Sequence, residues 1–209
     1  MQTEEKMTFE TWPALPEKAT LEGKNKFLGF WLFLGGETVL FASLFATYLA
    51  LKDKVPDNTH ALAKDLYDLP LTFVATMLLL TSSLTSVYAI YQMKNFNHRK
   101  MMLWLGVTVA LGLSFLCLEI YEFNHYVTEY NHKFTGSAFG SAFYTLVGFH
   151  GAHVIFGLVW IIALMVRNAK RGLNLYNAPK FYLASLYWHF IDVVWVFIFT
   201  VVYLMGMVG

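Results

Sequence analysis

Charge is scarce in this chain of 209 residues: Asp, Glu, Lys and Arg make up 14% of it, while 57% of the residues are hydrophobic. That balance excludes an ordinary soluble domain, in which about a quarter of the residues are charged. Cysteine is almost absent. Cys117 stands alone inside an apolar run, which excludes a disulfide, a Cys-x-x-Cys redox pair and a thiolate copper site, and it lacks a face partner that would make it a nucleophile. The net charge is only +1, and no broad basic surface can be assembled, so nucleic acid is not expected as a partner. No glycine-rich loop follows a strand to cradle phosphate. No internal repeat pairs two halves of the chain, which weakens the case for a secondary transporter.

What the chain does have is long apolar runs. Five of them, at about 27–51, 69–93, 101–125, 138–166 and 181–207, reach the ~20 residues that cross a ~30 Å hydrocarbon core. They are continuously apolar rather than alternating, and only a helix satisfies its own backbone within one such run. The expected fold is therefore all-α: a polytopic bundle of five transmembrane helices over 27–209, preceded by a polar N-terminal tail over 1–26. That tail has no apolar core and no small-residue cleavage site, so it is not read as a cleaved signal peptide. Trp12-Pro13-Ala14-Leu15-Pro16 could pin it to a partner; the simpler expectation is a loosely ordered tail.

Lys and Arg set the orientation. Five spans place Lys6, Lys18, Lys24, Lys26, Lys94, Arg99, Lys100, Arg167, Lys170, Arg171 and Lys180 on one side, eleven against Lys52, Lys54, Lys64 and Lys133 on the other. The N-terminus is expected in the cytoplasm and the C-terminus outside, with an acidic first outer loop carrying Asp53, Asp57, Asp65 and Asp68. Gly136, Gly140, Gly148, Gly151 and Gly157 along the fourth span read as ordinary close packing of helices in lipid.

Ionisable groups inside the runs carry more information, because each costs at least a few kcal/mol at the bilayer centre unless it is neutral, paired or near water. Glu37 lies near mid-depth in the first span with Phe30, Phe33, Phe41 and Leu44 on its face. It is expected to be protonated, or bonded to a group on another helix or to a lipid. The third span offers the outer-side carboxylates Glu119 and Glu122, with Tyr126 on the same side and His125 at its edge. The fourth offers His150 and His153, and the fifth offers Trp188, His189, Asp192 and Trp195 on one face with Phe199 and Tyr203. Paired carboxylates and histidines invite comparison with metal or haem sites in bundles. Depth argues against it: the glutamates lie near the outer face and the histidines deeper, and two histidines on one helix cannot clasp one iron from opposite sides. An interhelical polar cluster of His150, His153, Trp188, His189, Asp192 and Trp195 that fixes register is the expected role, with a proton-conducting chain as the competing one.

Four runs are familiar as sequence: FLGFWLFLGGETVLFASLFATY from Phe27, CLEIYEFNHY from Cys117, GFHGAHVIFGLVW from Gly148 and LYWHFIDVVWVFIFTVVYLMG from Leu186. Together they closely resemble subunit III of haem-copper terminal oxidases, and are similar in particular to the short five-helix bacterial form of Bacillus-type oxidases. The resemblance runs from Lys26 to the C-terminus; the tail and the loops at 52–68 and 126–137 are least tied to it.

The resemblance implies an accessory subunit without catalytic residues, haem or copper of its own. It would sit in a bacterial plasma membrane, directly against the catalytic subunit I, with subunit II and a small subunit IV in the same complex. The haem and copper would lie in those partners, where O₂ is reduced to water and protons are pumped. Family members hold phospholipid in a cleft, sustain proton uptake into subunit I and protect the complex during turnover. Glu37 matches the family's membrane glutamate that reacts with a carbodiimide. The longer family form has two further helices before this point, which wall the lipid cleft, whereas this chain has a polar tail there; a lipid site at Glu37 would need another subunit as its wall. The electron donor would be cytochrome c, or a quinol in a related oxidase. A free-standing membrane cytochrome or proton-coupled carrier using the same ionisable residues is the remote alternative.

Overall fold

The computed structural model describes residues 11–51, 69–129, 138–170 and 172–204. The charges expected at Glu4, Glu5, Lys6 and Glu10, the acidic loop at 52–68, Lys133, Gly136, Arg171 and the last residues of the fifth span lie outside the described residues, as do the side chains of His125 and Tyr126. Among the described residues the long elements are all helical: α1 (Leu21–Leu51), α2 (Leu69–Lys94), α3 (His98–Glu129), α4 (Ala138–Asn168) and α5 (Ala178–Ile198). A 3₁₀ turn at Pro16–Lys18 precedes α1, and α5 runs on into π-helical turns at Phe199–Leu204. All five helices are long and apolar enough to cross a membrane.

Helix ends overrun the apolar runs where a local cap permits it. α1 begins at Leu21, six residues before its apolar stretch, because the Thr20 hydroxyl accepts the Gly23 N–H at 3.0 Å and satisfies one of the orphan donors of the first turn. α2 and α3 are joined by Asn95 to Asn97, with Phe96 in the left-handed region at φ 55°. The Asn97 N–H returns to the Gln92 carbonyl at 2.9 Å, and α2 and α3 form the most extensive helix pair. The α4 to α5 turn is held by asparagines: Asn177 Nδ2 donates to the Gly172 carbonyl at 2.7 Å and to Asn168 Oδ1 at 3.3 Å.

α5 is the centre of the bundle, packed on α1, α2 and α4. Thirteen of its 21 residues are buried, which makes it an all-round core helix rather than a one-faced one. Its largest wedge is the fully buried Trp188. An added Cβ on Gly112 of α3 would lie 2.8 Å from that ring, and one on Gly157 of α4 would lie 3.1 Å from it, so the two glycines make room for the indole. α1, by contrast, buries only Gly23, Leu34, Phe41 and Tyr48; the last three, at seven-residue spacing, trace one narrow seam against α4 and α5.

The stretch before α1 departs from the loose tail expected of it. Trp12 is buried, its indole N–H donates to the Met93 carbonyl at 3.1 Å, and its ring meets Phe96 at 5.0 Å. Glu17 is also buried and faces the Lys94 ammonium at 3.6 Å. A tryptophan that reaches an end-of-helix carbonyl gains both apolar cover and a hydrogen bond. The Trp-Pro segment is therefore pinned, and the α2 to α3 turn of the same chain holds it. On the same side the exposed phenol of Tyr176, hydrogen-bonded to the Lys180 ammonium, sits below its usual range.

Candidate functional site

Glu37 and His153 meet between α1 and α4. Glu37 Oε2 lies 3.2 Å from His153 Nε2, and the other ring nitrogen, Nδ1, lies 2.8 Å from the Phe149 carbonyl one turn back on α4. A carbonyl only accepts, so Nδ1 carries a proton and donates it. A neutral ring then leaves Nε2 as an acceptor, and the Glu37 contact needs a proton of its own, carried by the carboxyl or by the ring. The pair therefore holds one proton between two helices. Phe41 and Phe149 flank the imidazole, at 5.1 and 4.8 Å between ring centroids, and Tyr187 donates to the His153 carbonyl at 3.5 Å. The contact joins Glu37 to a group on another helix.

The fifth-span residues bond to α2. Trp188 Nε1 donates to Ser82 Oγ at 3.0 Å, Trp195 Nε1 donates to Thr76 Oγ1 at 3.0 Å, and His189 Nδ1 lies 2.6 Å from Ser83 Oγ. Ser185 Oγ pairs with Ser86 Oγ at 2.7 Å. As the α2 number falls from 86 to 76 the α5 number rises from 185 to 195, so one antiparallel register runs the length of the seam. These partners are the hydroxyls of α2, which are not among the candidate residues named from the sequence. Their signal was available: Thr72, Thr76, Ser82, Ser83 and Ser86 recur on an otherwise apolar helix.

The six residues grouped as one cluster thus occupy three places. His153 belongs to the α1 seam with Glu37. Trp188, His189 and Trp195 belong to the α2 seam. His150 lies at the junction of α3, α4 and α5, its ring 5.1 Å from Trp195 and 6.2 Å from Phe115, with both nitrogens buried and outside any hydrogen bond. Asp192 is buried one turn along α5 from His189, and neither carboxyl oxygen makes a hydrogen bond.

Glu119 and Glu122 are both buried, in different surroundings. Glu122 accepts from Thr72 Oγ1 at 3.1 Å. Glu119 lies against α4 at Gly151, where an added Cβ would be 3.1 Å from its Oε1, so it sits at the level of His150 and the difference in depth expected between the glutamates and the histidines does not hold for it. Gly151 is thus the place where a missing side chain lets a carboxyl reach the backbone of another helix. Among the described residues no group of three or more His, Cys, Asp and Glu is disposed to hold a metal ion. What the arrangement can do is join helices by polar contacts and hold a proton between Glu37 and His153.

Comparison with known proteins gives a consistent answer. The family model described as cytochrome c oxidase subunit III matches residues 15–207. Cytochrome c oxidase subunit 3 of Bacillus sp. (strain PS3) is 77% identical over 210 residues, covering 100% of both chains. The protein of the same name from Bacillus subtilis (strain 168) is 72% identical over 209 residues, again covering 100% of both. A probable quinol oxidase subunit 3 from Staphylococcus haemolyticus (strain JCSC1435) is 50% identical over 192 residues, 92% of this chain and 94% of the relative.

Proposed function

Because the chain belongs to the cytochrome c oxidase subunit III family, an integral membrane subunit of a multi-subunit haem-copper oxidase, we propose that it is the non-redox accessory subunit of an oxidase fed by cytochrome c. The observation that carries this is the full-length identity above 70% to two relatives named as cytochrome c oxidase subunits. The relative named as a probable quinol oxidase subunit stands at 50%, which favours cytochrome c as donor.

In this reading the subunit packs directly on the haem- and copper-bearing subunit I, beside subunit II and a small subunit IV, in a bacterial plasma membrane. Its N-terminus faces the cytoplasm, in keeping with the excess of Lys and Arg on that side. The ionisable groups within its spans serve assembly and proton uptake by subunit I rather than redox chemistry. The helix-to-helix bonding of Glu37, His189 and Glu122 supports that role. Glu37, on the least covered helix, with its partner His153 on α4 is the place where a phospholipid or the wall of a neighbouring subunit completes the site.

The test is extraction of a tagged chain from its native membrane. Stoichiometric recovery with a haem-bearing subunit, the Soret absorption staying with that subunit after stripping, is the expected result. A chain recovered alone, coloured or active in transport, would overturn the reading. Within the intact complex a hydrophobic carbodiimide is expected to label Glu37, and Glu37→Gln to abolish that label. Equal labelling of the variant would place the reactive carboxyl elsewhere.

A further inference from the structure

A closed circuit of contacts rings the end of the bundle where α1 begins. Trp12 donates to the Met93 carbonyl at 3.1 Å and packs on Phe96 at 5.0 Å, which fixes the stretch before α1 to the α2 to α3 turn. Glu17, on the same stretch and buried, faces the Lys94 ammonium at 3.6 Å. Lys94 in turn lies 5.9 Å from the Tyr182 ring of α5, and Tyr182 meets Phe27 of α1 at 5.8 Å. Phe27 carries the Lys18 ammonium over its ring at 4.2 Å, and Lys18 belongs to the same 3₁₀ turn as Glu17. The circuit thus runs from the segment before α1 to the end of α2, to α5, to α1 and back.

α1 has need of such a tie. Of its 31 residues only Gly23, Leu34, Phe41 and Tyr48 are buried. The first of these does not rest on another span at all: an added Cβ on Gly23 would lie 2.6 Å from the Glu17 carbonyl oxygen, so the glycine lets the first turn of α1 close against the 3₁₀ turn. The next buried residue is Leu34, and Leu21, Leu28, Trp31 and Leu32 between them are exposed. Lipid provides no hydrophobic drive that would hold this sparsely packed stretch on its neighbours. A second point of attachment does, because it keeps the start of α1 beside α5 at a high effective concentration. Just beyond Leu34 lies the bond from Glu37 to His153.

We propose that residues 12–18 are a clasp: seated on the α2 to α3 turn they keep the α1 seam closed on α4 and α5, and unseated they let the start of α1 swing away and uncover Glu37 and His153. Trp12 is the catch, because its indole gains apolar cover and a directional bond together only when it is seated. Glu17 secures the catch, because loss of its Lys94 partner strands a buried carboxylate. The device lies within this chain and goes beyond the subunit reading above: it gives the Glu37 and His153 pair a means of being covered or uncovered.

The experiment measures how far α1 stands from α4 in the full chain held in lipid nanodiscs, by pulsed electron paramagnetic resonance between spin labels. One pair of labels sits on Leu28→Cys of α1 and Val166→Cys of α4, and a reference pair on Leu103→Cys of α3 and the same Val166→Cys. All three positions are exposed, and the exposed Cys117 is replaced by alanine so that it takes no label. Trp12→Ala is expected to raise the population of a longer Leu28 to Val166 distance by about tenfold, the effect of one hydrogen bond and one aromatic contact. Lys94→Met should act in the same direction. Trp12→Phe, which keeps a ring against Phe96 but loses the N–H, should act less. The reference pair should not move.

Trypsin cleavage at Lys18 reports in parallel whether the segment has come free. An unchanged Leu28 to Val166 distance in Trp12→Ala, with Lys18 newly open to cleavage, would mean that the segment leaves without opening the seam. Unchanged distance and unchanged cleavage would mean that Trp12 does not hold it. Either result overturns the clasp. Equal broadening of the reference pair would make the effect a loosening of the whole bundle and would overturn it as well. Each of these outcomes leaves the subunit reading intact, since that reading stands or falls on recovery with a haem-bearing subunit.

Discussion

α1 and α5 are both apolar enough to span a membrane, yet they are held in opposite ways. α5 is anchored by four side-chain bonds to α2, from Ser185 to Trp195, and by an indole wedged between two glycines of other helices. α1 is held by a heptad-spaced seam of Leu34, Phe41 and Tyr48, by aromatic edges such as Phe41 on Phe190 at 6.3 Å, and by the bond from Glu37 to His153. Hydropathy cannot distinguish the two, because lipid tails are as apolar as leucine and provide no hydrophobic drive between helices. In this bundle the distinction comes from shape and hydrogen bonding. The core of the domain is thus α2 to α5, with α1 laid against it and its other faces open.

The largest expected effect falls in that core. Trp188→Ala removes a fully buried indole and its bond to Ser82, and leaves a cavity between α3, α4 and α5 that close-packed neighbours fill poorly. It should destabilise the detergent-solubilised chain by about 3–5 kcal/mol, read from the denaturant midpoint of helix loss by circular dichroism. A change below about 1 kcal/mol would mean that α5 is not the keystone, and that the contrast with α1 is false.

Glycines offer a sharper test of the same contrast. Gly112→Ala would set a Cβ 2.8 Å from the rigid Trp188 ring and 2.9 Å from Leu158, whereas Gly36→Ala on α1 meets nothing within 4 Å. The first should cost about 1–3 kcal/mol by overpacking. The second should be neutral or slightly stabilising, since alanine is the better helix former. Equal effects would show that the open face of α1 is covered even in the isolated chain.

Much of this architecture was legible in the residues. Five spans were evident because apolar length is a property of the chain itself, and the boundaries moved only where Thr20 caps α1 or where helix continues beyond the hydrocarbon. Glu37 stood out because a carboxyl among phenylalanines needs a partner. Which partner was not readable: His153 lies 116 positions away, and only the packing of α1 on α4 brings the two together. The polar residues of α5 were recognisable as helix-joining groups, but histidines and carboxylates drew attention away from the serines and threonines of α2. Hydroxyls often bond back to their own helix, as Thr76 does to Thr72, so their number says little until a tryptophan is seen to reach them. Trp12 was read as tail because a short proline-flanked stretch carries no periodicity, although its indole donates to the Met93 carbonyl at the end of α2.

Two smaller perturbations separate the α1 seam at Glu37 and His153 from the α2 to α5 seam with its several hydroxyl bonds. Glu37→Leu leaves His153 Nε2 facing an alkyl group and should loosen α1 by about 1 kcal/mol. The readout is faster protease cleavage within residues 52–68. Ser86→Ala removes one member of the ladder while Ser82, Ser83 and Thr76 still hold α5, so the loss should be smaller, about 0.5 kcal/mol. Ser185 would keep its contact to His189 at 3.5 Å and would be free to shorten it. Redundancy of this kind is why a ladder tolerates a missing rung and a lone pair does not. Should Ser86→Ala cost more than Glu37→Leu on the same denaturation scale, the α2 to α5 hydroxyls act as one cooperative network, and the seam is stronger than the sum of its separate bonds.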